Sequence, residues 1–149
     1  MIERTLPDLA ATEALAARLA GLLAPGDAVL LEGPLGAGKS AFARALLRAA
    51  AGDPGLEVPS PTFTLAQGYD LPRGMAHHFD LYRLGGADEV LELGWDEARE
   101  GIVIVEWPDR LGALRPRDAL TVTLAPGAGD DARVARLSGW PAMRLAGLA

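Results

Sequence analysis

The chain has 149 residues, half of them apolar and 23% charged, with a mean hydropathy of +0.16, a formal net charge of −6 and a pI near 4.8. That composition fits one globular domain over residues 1–149 with a sizeable core, and it excludes an intrinsically disordered chain. The absence of cysteine removes disulfides, thiolate nucleophiles and cysteine-based zinc sites, and the acidic balance argues against a domain that binds nucleic acid alone, which needs a basic surface.

In chain order, Asp8 is placed to cap a helix running to about Leu23, with Leu9, Leu15, Leu19, Leu22 and Leu23 near one face. Pro25-Gly26 stops it. "AVLLEG" (28–33) reads as a buried strand ending in glycine, and "KSAFARALLRAA" (39–50) as a helix with Phe42, Leu46 and Ala49 or Ala50 inward. "GDPG" (52–55) breaks that helix. Two prolines open "VPSPTFTLAQGYD" (58–70), and Phe63 and Leu65 then alternate as in a strand. "MAHHFDLYRL" (75–84) is a second strand, with "LPRG" as the turn between them.

"ADEVLELGWDEARE" (87–100) reads as one or two short helices broken at Gly94, and "GIVIVEW" (101–107) as a central parallel strand. A short helical turn follows Pro108. "DALTVTLAPGAGDDARVARLSGW" (118–140) is a hairpin, and the tail frays or forms a short helix. The order of elements predicts an α/β, P-loop NTPase-like three-layer fold: a mostly parallel central sheet with an antiparallel C-terminal hairpin at its edge. The apolar runs are strand-length, far short of the ~20 residues of a membrane span, and Glu3 lies where a secretory leader would be apolar. A cytoplasmic protein without a membrane partner is expected.

Thirteen of the 14 basic residues are arginine; the one lysine is Lys39. It lies in Gly33-Pro34-Leu35-Gly36-Ala37-Gly38-Lys39-Ser40, which fits G-x-x-x-x-G-K-[ST] at every fixed position, between a buried strand and an apolar-faced helix. Each residue type has a physical reason. Gly36 and Gly38 let backbone N–H groups converge. The helix start, through Ser40 and Ala41, adds partial positive charge for a phosphate. Lys39 supplies a compact ammonium for the β- and γ-phosphates, a role a forked guanidinium does not fill. Ser40 offers a hydroxyl to Mg²⁺.

A triphosphate site also needs carboxylates at strand ends. Glu106 ends "IVIVE" and Asp80 follows the short apolar stretch of "HHFDLYR"; spacing alone favours Glu106 slightly. Either acid is otherwise a solvated turn residue. In "SPTFTL" (60–65), Thr62 offers a hydroxyl as GTPase switch loops do, or is an ordinary turn residue. His77 and His78 are adjacent and point to opposite faces of a strand, poor geometry for one metal; one partly buried and one exposed histidine is expected. Trp107 lies beside a nucleotide or packs in the core, and Arg83 stabilises charge in cis or makes a surface ion pair. With no asparagine in the chain, no NKxD guanine motif is possible, which favours ATP.

Taken together, "GPLGAGKS" (33–40), "SPTFTL" (60–65), "HHFDLYRL" (77–84), "ELGWDE" (92–97) and "VEW" (105–107) resemble, in order and rough spacing, the bacterial TsaE (YjeE) family of tRNA threonylcarbamoyladenosine biosynthesis, over about residues 8–108. The resemblance implies a weak P-loop ATPase with ATP and Mg²⁺ as cofactors. It also implies TsaB- and TsaD-like partner proteins, with tRNA engaged indirectly through their complex. It assigns Lys39 and Ser40 to phosphate and Mg²⁺, Thr62 to a switch-like loop, Asp80 and Glu106 to the two functional acids, and Trp107 to the neighbouring tryptophan. Either acid is a candidate for Mg²⁺ and the resemblance leaves their division of work open; the working hypothesis is that Asp80 helps hold hydrated Mg²⁺ and Glu106 orients the attacking water. Ala41 stands where the family often has a second threonine, which puts nucleotide affinity in question. Two other functions use the same loop: a small-molecule kinase, whose lid arginines would come from "DRLGALRPR" (109–117), and a nucleotide-dependent binding module with little turnover.

Overall fold

A computed structural model describes residues 1–61 and 63–149. Seven strands form one sheet in the order β1-β7-β6-β2-β5-β4-β3. They are β1 (Ile2–Leu6), β2 (Ala28–Glu32), β3 (Ala66–Leu71), β4 (Gly74–Asp80), β5 (Ile102–Glu106), β6 (Leu120–Pro126) and β7 (Arg133–Ser138). The inner four, β6-β2-β5-β4, are parallel, and an antiparallel partner extends each side.

The strands explain the three layers. Successive side chains of β2 point to opposite faces. Val29 and Leu31 pack against helices α1 (Leu9–Ala20) and α2 (Lys39–Ala51), through Leu15, Leu19, Phe42 and Leu46. Ala28 and Leu30 pack on the other side with Val90 and Trp95 of the short helices α3 (Ala87–Glu92) and α4 (Trp95–Ala98), and with Leu111 of the 3-10 helix Pro108–Leu114. Phe79 and Trp95 meet edge to face there, with ring centroids 5.3 Å apart. The central strand β5 is buried at all five positions, its terminal glutamate included.

Asp8 caps α1 as its position predicts: its Oδ1 accepts a hydrogen bond from the Ala11 N–H at 2.9 Å. The helix ends at Ala20, ahead of Leu23, and Leu9 is 52% exposed because it begins the first turn on the outer side. In α2 the inward face is Phe42, Ala43, Leu46 and Leu47, with Ala49 exposed. Phe63 and Leu65 are not in a strand. Phe63 is 84% exposed and Leu65 has φ 68°, so β3 begins only at Ala66. β4 stops at Asp80, where the carboxylate accepts the Tyr82 N–H and turns the chain. The break at Gly94 is as expected, at φ 84°. The C-terminal hairpin β6–β7 is present, but β1 pairs outside β7 and forms the edge. A last helix, α5 (Ala142–Leu145), and a 3-10 turn pack back on α1 through Leu145 and Leu148. No helix among the described residues is long and apolar enough to cross a membrane.

The parallel register brings the carboxyl ends of β2, β4 and β5 to one level: Glu106 pairs with Leu31 on one side and Asp80 on the other. In an open α/β sheet this end forms the ligand crevice. Gly33 leaves β2 there with φ 145°, and a Cβ on it would lie 2.4 Å from the Leu124 carbonyl oxygen. Gly33→Ala is therefore expected to destabilise by about 2–3 kcal/mol, a loss of several degrees in Tm. Gly36→Ala has only the positive φ against it, with nothing within 4 Å, and should cost about 1 kcal/mol. Paired thermal unfolding of the two variants checks this; equal Tm values would contradict it.

Candidate functional site

The loop of residues 33–38 joins the central strand β2 to α2. The Ala37 N–H donates to the Pro34 carbonyl at 3.1 Å and closes a turn. Gly38 then takes the left-handed conformation at φ 99° as the N-cap of α2, with no side chain to satisfy the first N–H groups of the helix. Those donors and the helix dipole make this an anion-accepting end. Lys39, the first helical residue, is only 5% exposed. Its Nζ donates to the carbonyls of Gly33 and Pro34 and sits 3.5 Å from the centroid of the Trp107 ring. Burial pushes the ammonium below the usual lysine range, and the nearby charges of Glu106, Asp80 and Asp109 offset this only in part.

The two acids lie side by side on β4 and β5, both buried. Glu106 has both oxygens engaged: Oε1 accepts from Ser40 Oγ at 2.9 Å, and Oε2 is 2.7 Å from His78 Nε2. Asp80 Oδ1 accepts the Tyr82 N–H at 3.1 Å. With Lys39 and Ser40 they border one cavity of about 430 Å³, within the range of small-molecule sites. The arrangement offers backbone donors and an ammonium for an anion, and a hydroxyl with two carboxylates for a cation.

Leu35, Gly36, Gly38, Lys39, Ser40, Ala41, Asp80, Glu106 and Trp107, all expected at the site, line that cavity. Gly33 and Ala37 do not; Gly33 faces Leu124, and Ala37 is buried with its carbonyl turned to Arg133. Thr62 lies outside the described residues. Trp107 combines its two readings, since its ring covers Lys39, lies 4.9 Å from Tyr82 and also packs on the core. Its φ of 59° is a left-handed conformation in a non-glycine residue, the kind of strain found at functional sites. Arg83 lines the cavity and stacks on Phe63 at 5.0 Å. Among the described residues, no group of three His, Cys, Asp or Glu side chains is placed to hold a metal.

Two residues escaped the sequence reading. His78, expected to share an unremarkable pair with His77, is 1% exposed and bonded to Glu106, while His77 is half-buried. The strand alternation that separates the two rings was legible, but the cross-strand reach to Glu106 was not. Arg133, at the start of β7, donates from Nε to the Ala37 carbonyl at 2.8 Å and from Nη2 toward the Gly36 carbonyl at 3.4 Å. No local pattern marks a loop brace that arrives from 96 positions away.

Comparison with known proteins gives this geometry a context. The family model described as "Threonylcarbamoyl adenosine biosynthesis protein TsaE" matches residues 6–134. The chain is 40% identical over 114 residues to the "tRNA threonylcarbamoyladenosine biosynthesis protein TsaE" of Rickettsia felis, covering 76% of this chain and 66% of that protein's length. It is 36% identical over 128 residues to the protein of the same name from Bacillus subtilis, covering 82% and 75%. The crystal structure of Bacillus subtilis YdiB superposes with a TM-score of 0.74 at 24% identity, over 99% of this chain and 93% of that one, which establishes the shared fold. With the family model spanning most of the chain, and relatives in distant bacteria agreeing, the chain belongs to the TsaE family.

Proposed function

We propose that this chain binds ATP with Mg²⁺ in the cavity at the end of β2 and hydrolyses it slowly in the service of tRNA threonylcarbamoyladenosine biosynthesis, together with TsaB- and TsaD-like proteins. The observation that carries the reading is the buried Lys39 ammonium beside Ser40 and two buried carboxylates, at the uncapped start of α2. A group of three side chains built as a metal cage is absent among the described residues. That fits Mg²⁺, which keeps several waters and is held partly by substrate phosphates. Bound ATP·Mg²⁺ would supply the electrophilic phosphorus and neutralise charge as it develops.

The chain's own residues then have distinct tasks. The N–H groups of Gly36 and residues 38–40 and the Lys39 ammonium would receive phosphate oxygens, and Lys39 would have to exchange the Gly33 and Pro34 carbonyls for them. Ser40 Oγ, which donates to Glu106 Oε1 here, would be the hydroxyl offered to the cation. Asp80, close to the cavity at the end of β4, is suited to the cation's water shell. Glu106, whose Oε1 already touches Ser40, is suited to orient the attacking water. Thr62 is proposed as the switch-loop hydroxyl on family likeness alone. The net charge of −6 supports a division of labour in which partner proteins hold the tRNA. The kinase reading gains nothing here: Arg110 pairs with Asp109 and Arg115 with Glu32, and neither lines the cavity. Retention of ATP without turnover, in a single-turnover assay with and without the partner proteins, would favour the binding module.

Lys39→Met is expected to lose ATP affinity by at least about 10²-fold in equilibrium binding, with a Tm equal to or above that of the parent because a buried ammonium has been removed. The same substitution gives a pH signature. The folded-state pKa of Lys39 lies below its unfolded value, so at alkaline pH the unfolded chain binds more protons and the parent gains stability as pH rises through that interval. The stability difference between Lys39→Met and parent should shrink from pH 7 toward about 10; urea denaturation across that range, showing a constant or widening gap, would contradict it. Glu106→Ala should keep ATP binding within a few-fold while turnover falls about 10²-fold, and Asp80→Ala should weaken Mg²⁺-dependent binding. The opposite pattern in parallel titrations and single-turnover assays would exchange the two roles.

A further inference from the structure

His78 has no part in the roles above, yet its Nε2 lies 2.7 Å from Glu106 Oε2, with both groups almost wholly buried. It reaches Glu106 across strands: His78 pairs in register with Ile104, two residues before Glu106, so both side chains stand on the α2 face of the sheet. Its other ring nitrogen, Nδ1, is buried without a hydrogen-bond partner among the described residues.

That asymmetry fixes the proton. A buried N–H without an acceptor is costly, whereas an unused lone pair on nitrogen costs less. An imidazolium, or a neutral imidazole whose Nε2 accepts a hydrogen bond from a carboxyl O–H of Glu106, would each leave an orphaned Nδ1–H. The neutral tautomer with its hydrogen on Nε2 donates to Glu106 Oε2 and leaves only a lone pair at Nδ1. Glu106 Oε1 is meanwhile shared with Ser40 Oγ at 2.9 Å. One oxygen is therefore tied back to a residue that cannot leave the core. The other is held by a residue that would turn to the cation in the role given to it above.

We propose that His78 is a positioning residue for Glu106. Its Nε2–H anchors Oε2 and aims Oε1 into the cavity, so that Glu106 is ready when Ser40 releases it. A carboxylate without this anchor would be free to rotate. The inference rests on the hydrolytic role proposed for Glu106, and the experiment separates the two.

The full-length chain is compared with His78→Gln, whose side-chain nitrogen can occupy the Nε2 position, with His78→Asn, which is one carbon too short, and with His78→Leu. Single-turnover hydrolysis at saturating Mg-ATP should fall about 10–100-fold in the Leu and Asn variants, with ATP affinity changed less than about threefold, and recover to within about threefold in the Gln variant. In a Glu106→Gln background the Leu substitution should add less than about twofold, because the group it positions is already gone. Ring ¹⁵N resonances of His78, read without nucleotide, should show an unprotonated Nδ1 and a protonated Nε2, and the Nε2 signal should move in Glu106→Gln. Equal losses in Gln and Leu, no loss in either, a defect confined to affinity, or a protonated Nδ1 would each overturn the proposal. If His78→Leu does not fold, the Gln and Asn pair decides. If the parent itself hydrolyses no ATP even with partner proteins, the hydrolytic reading fails, while the ¹⁵N signature still decides whether His78 anchors Glu106.

Discussion

Three charged groups that water would hold comfortably are instead kept out of it within one side-chain length of each other: the Lys39 ammonium and the carboxylates of Asp80 and Glu106, all under a tenth exposed. Dehydrating them is costly, and their mutual attraction restores only part of it, as the downward displacement of the lysine indicates. The arrangement persists because the surrounding sheet over-determines it. β2, β5 and β4 are buried parallel strands whose ends fall in register, so the polar side chains arrive together whether or not they stabilise the fold. An anion carrying its own cation would relieve both halves of this arrangement at once. That is the physical content of the proposed nucleotide role.

The loop that carries the ammonium is held from three directions. β2 delivers it from the centre of the sheet, where Gly33 approaches the Leu124 backbone too closely for any side chain. α2 receives it at Gly38. Arg133 grips its carbonyls from β7. Carbonyls engaged from outside leave the loop's N–H groups other than that of Ala37, which closes the turn onto Pro34, as the polar atoms available to the cavity, and such fixed dipoles need little rearrangement when charge arrives. Trp107 closes the remaining side by lying over Lys39 in a strained backbone conformation.

Much of this was legible in the sequence because it is local. The phosphate-loop signature, the single lysine, the buried strands at 28–33 and 101–107 and the break at Gly94 are patterns within a few residues, and each appears where its chemistry places it. What was not legible is cross-strand or disguised. β1 went unseen because Arg4 interrupts the apolar alternation of Ile2 and Leu6, its guanidinium capping the Leu148 carbonyl. Phe63 and Leu65 imitate a strand by their spacing, but one is exposed and the other lies in the left-handed region, so the chain there cannot join the sheet. Spacing left Asp80 no better than a solvated turn; the family resemblance raised it, and the register with Glu106 explains it, while His78 came forward only through a contact spanning 28 positions. Neither relation leaves a mark in a window of sequence.

The pairing of Leu6 with Arg133 ties the opening strand to the phosphate loop. Residues 2–6 have the look of dispensable leader, being short, charged and at the sheet margin. Their backbone nevertheless aligns the strand from which the guanidinium reaches Ala37 and Gly36. Trimming those few positions, or crowding them with an affinity tag, would loosen a clamp seated on the far side of the molecule's chain order from the lysine it steadies. Preparations that differ only at the front end would then differ, in the nucleotide role proposed above, in how firmly they grasp a triphosphate, with every loop residue intact.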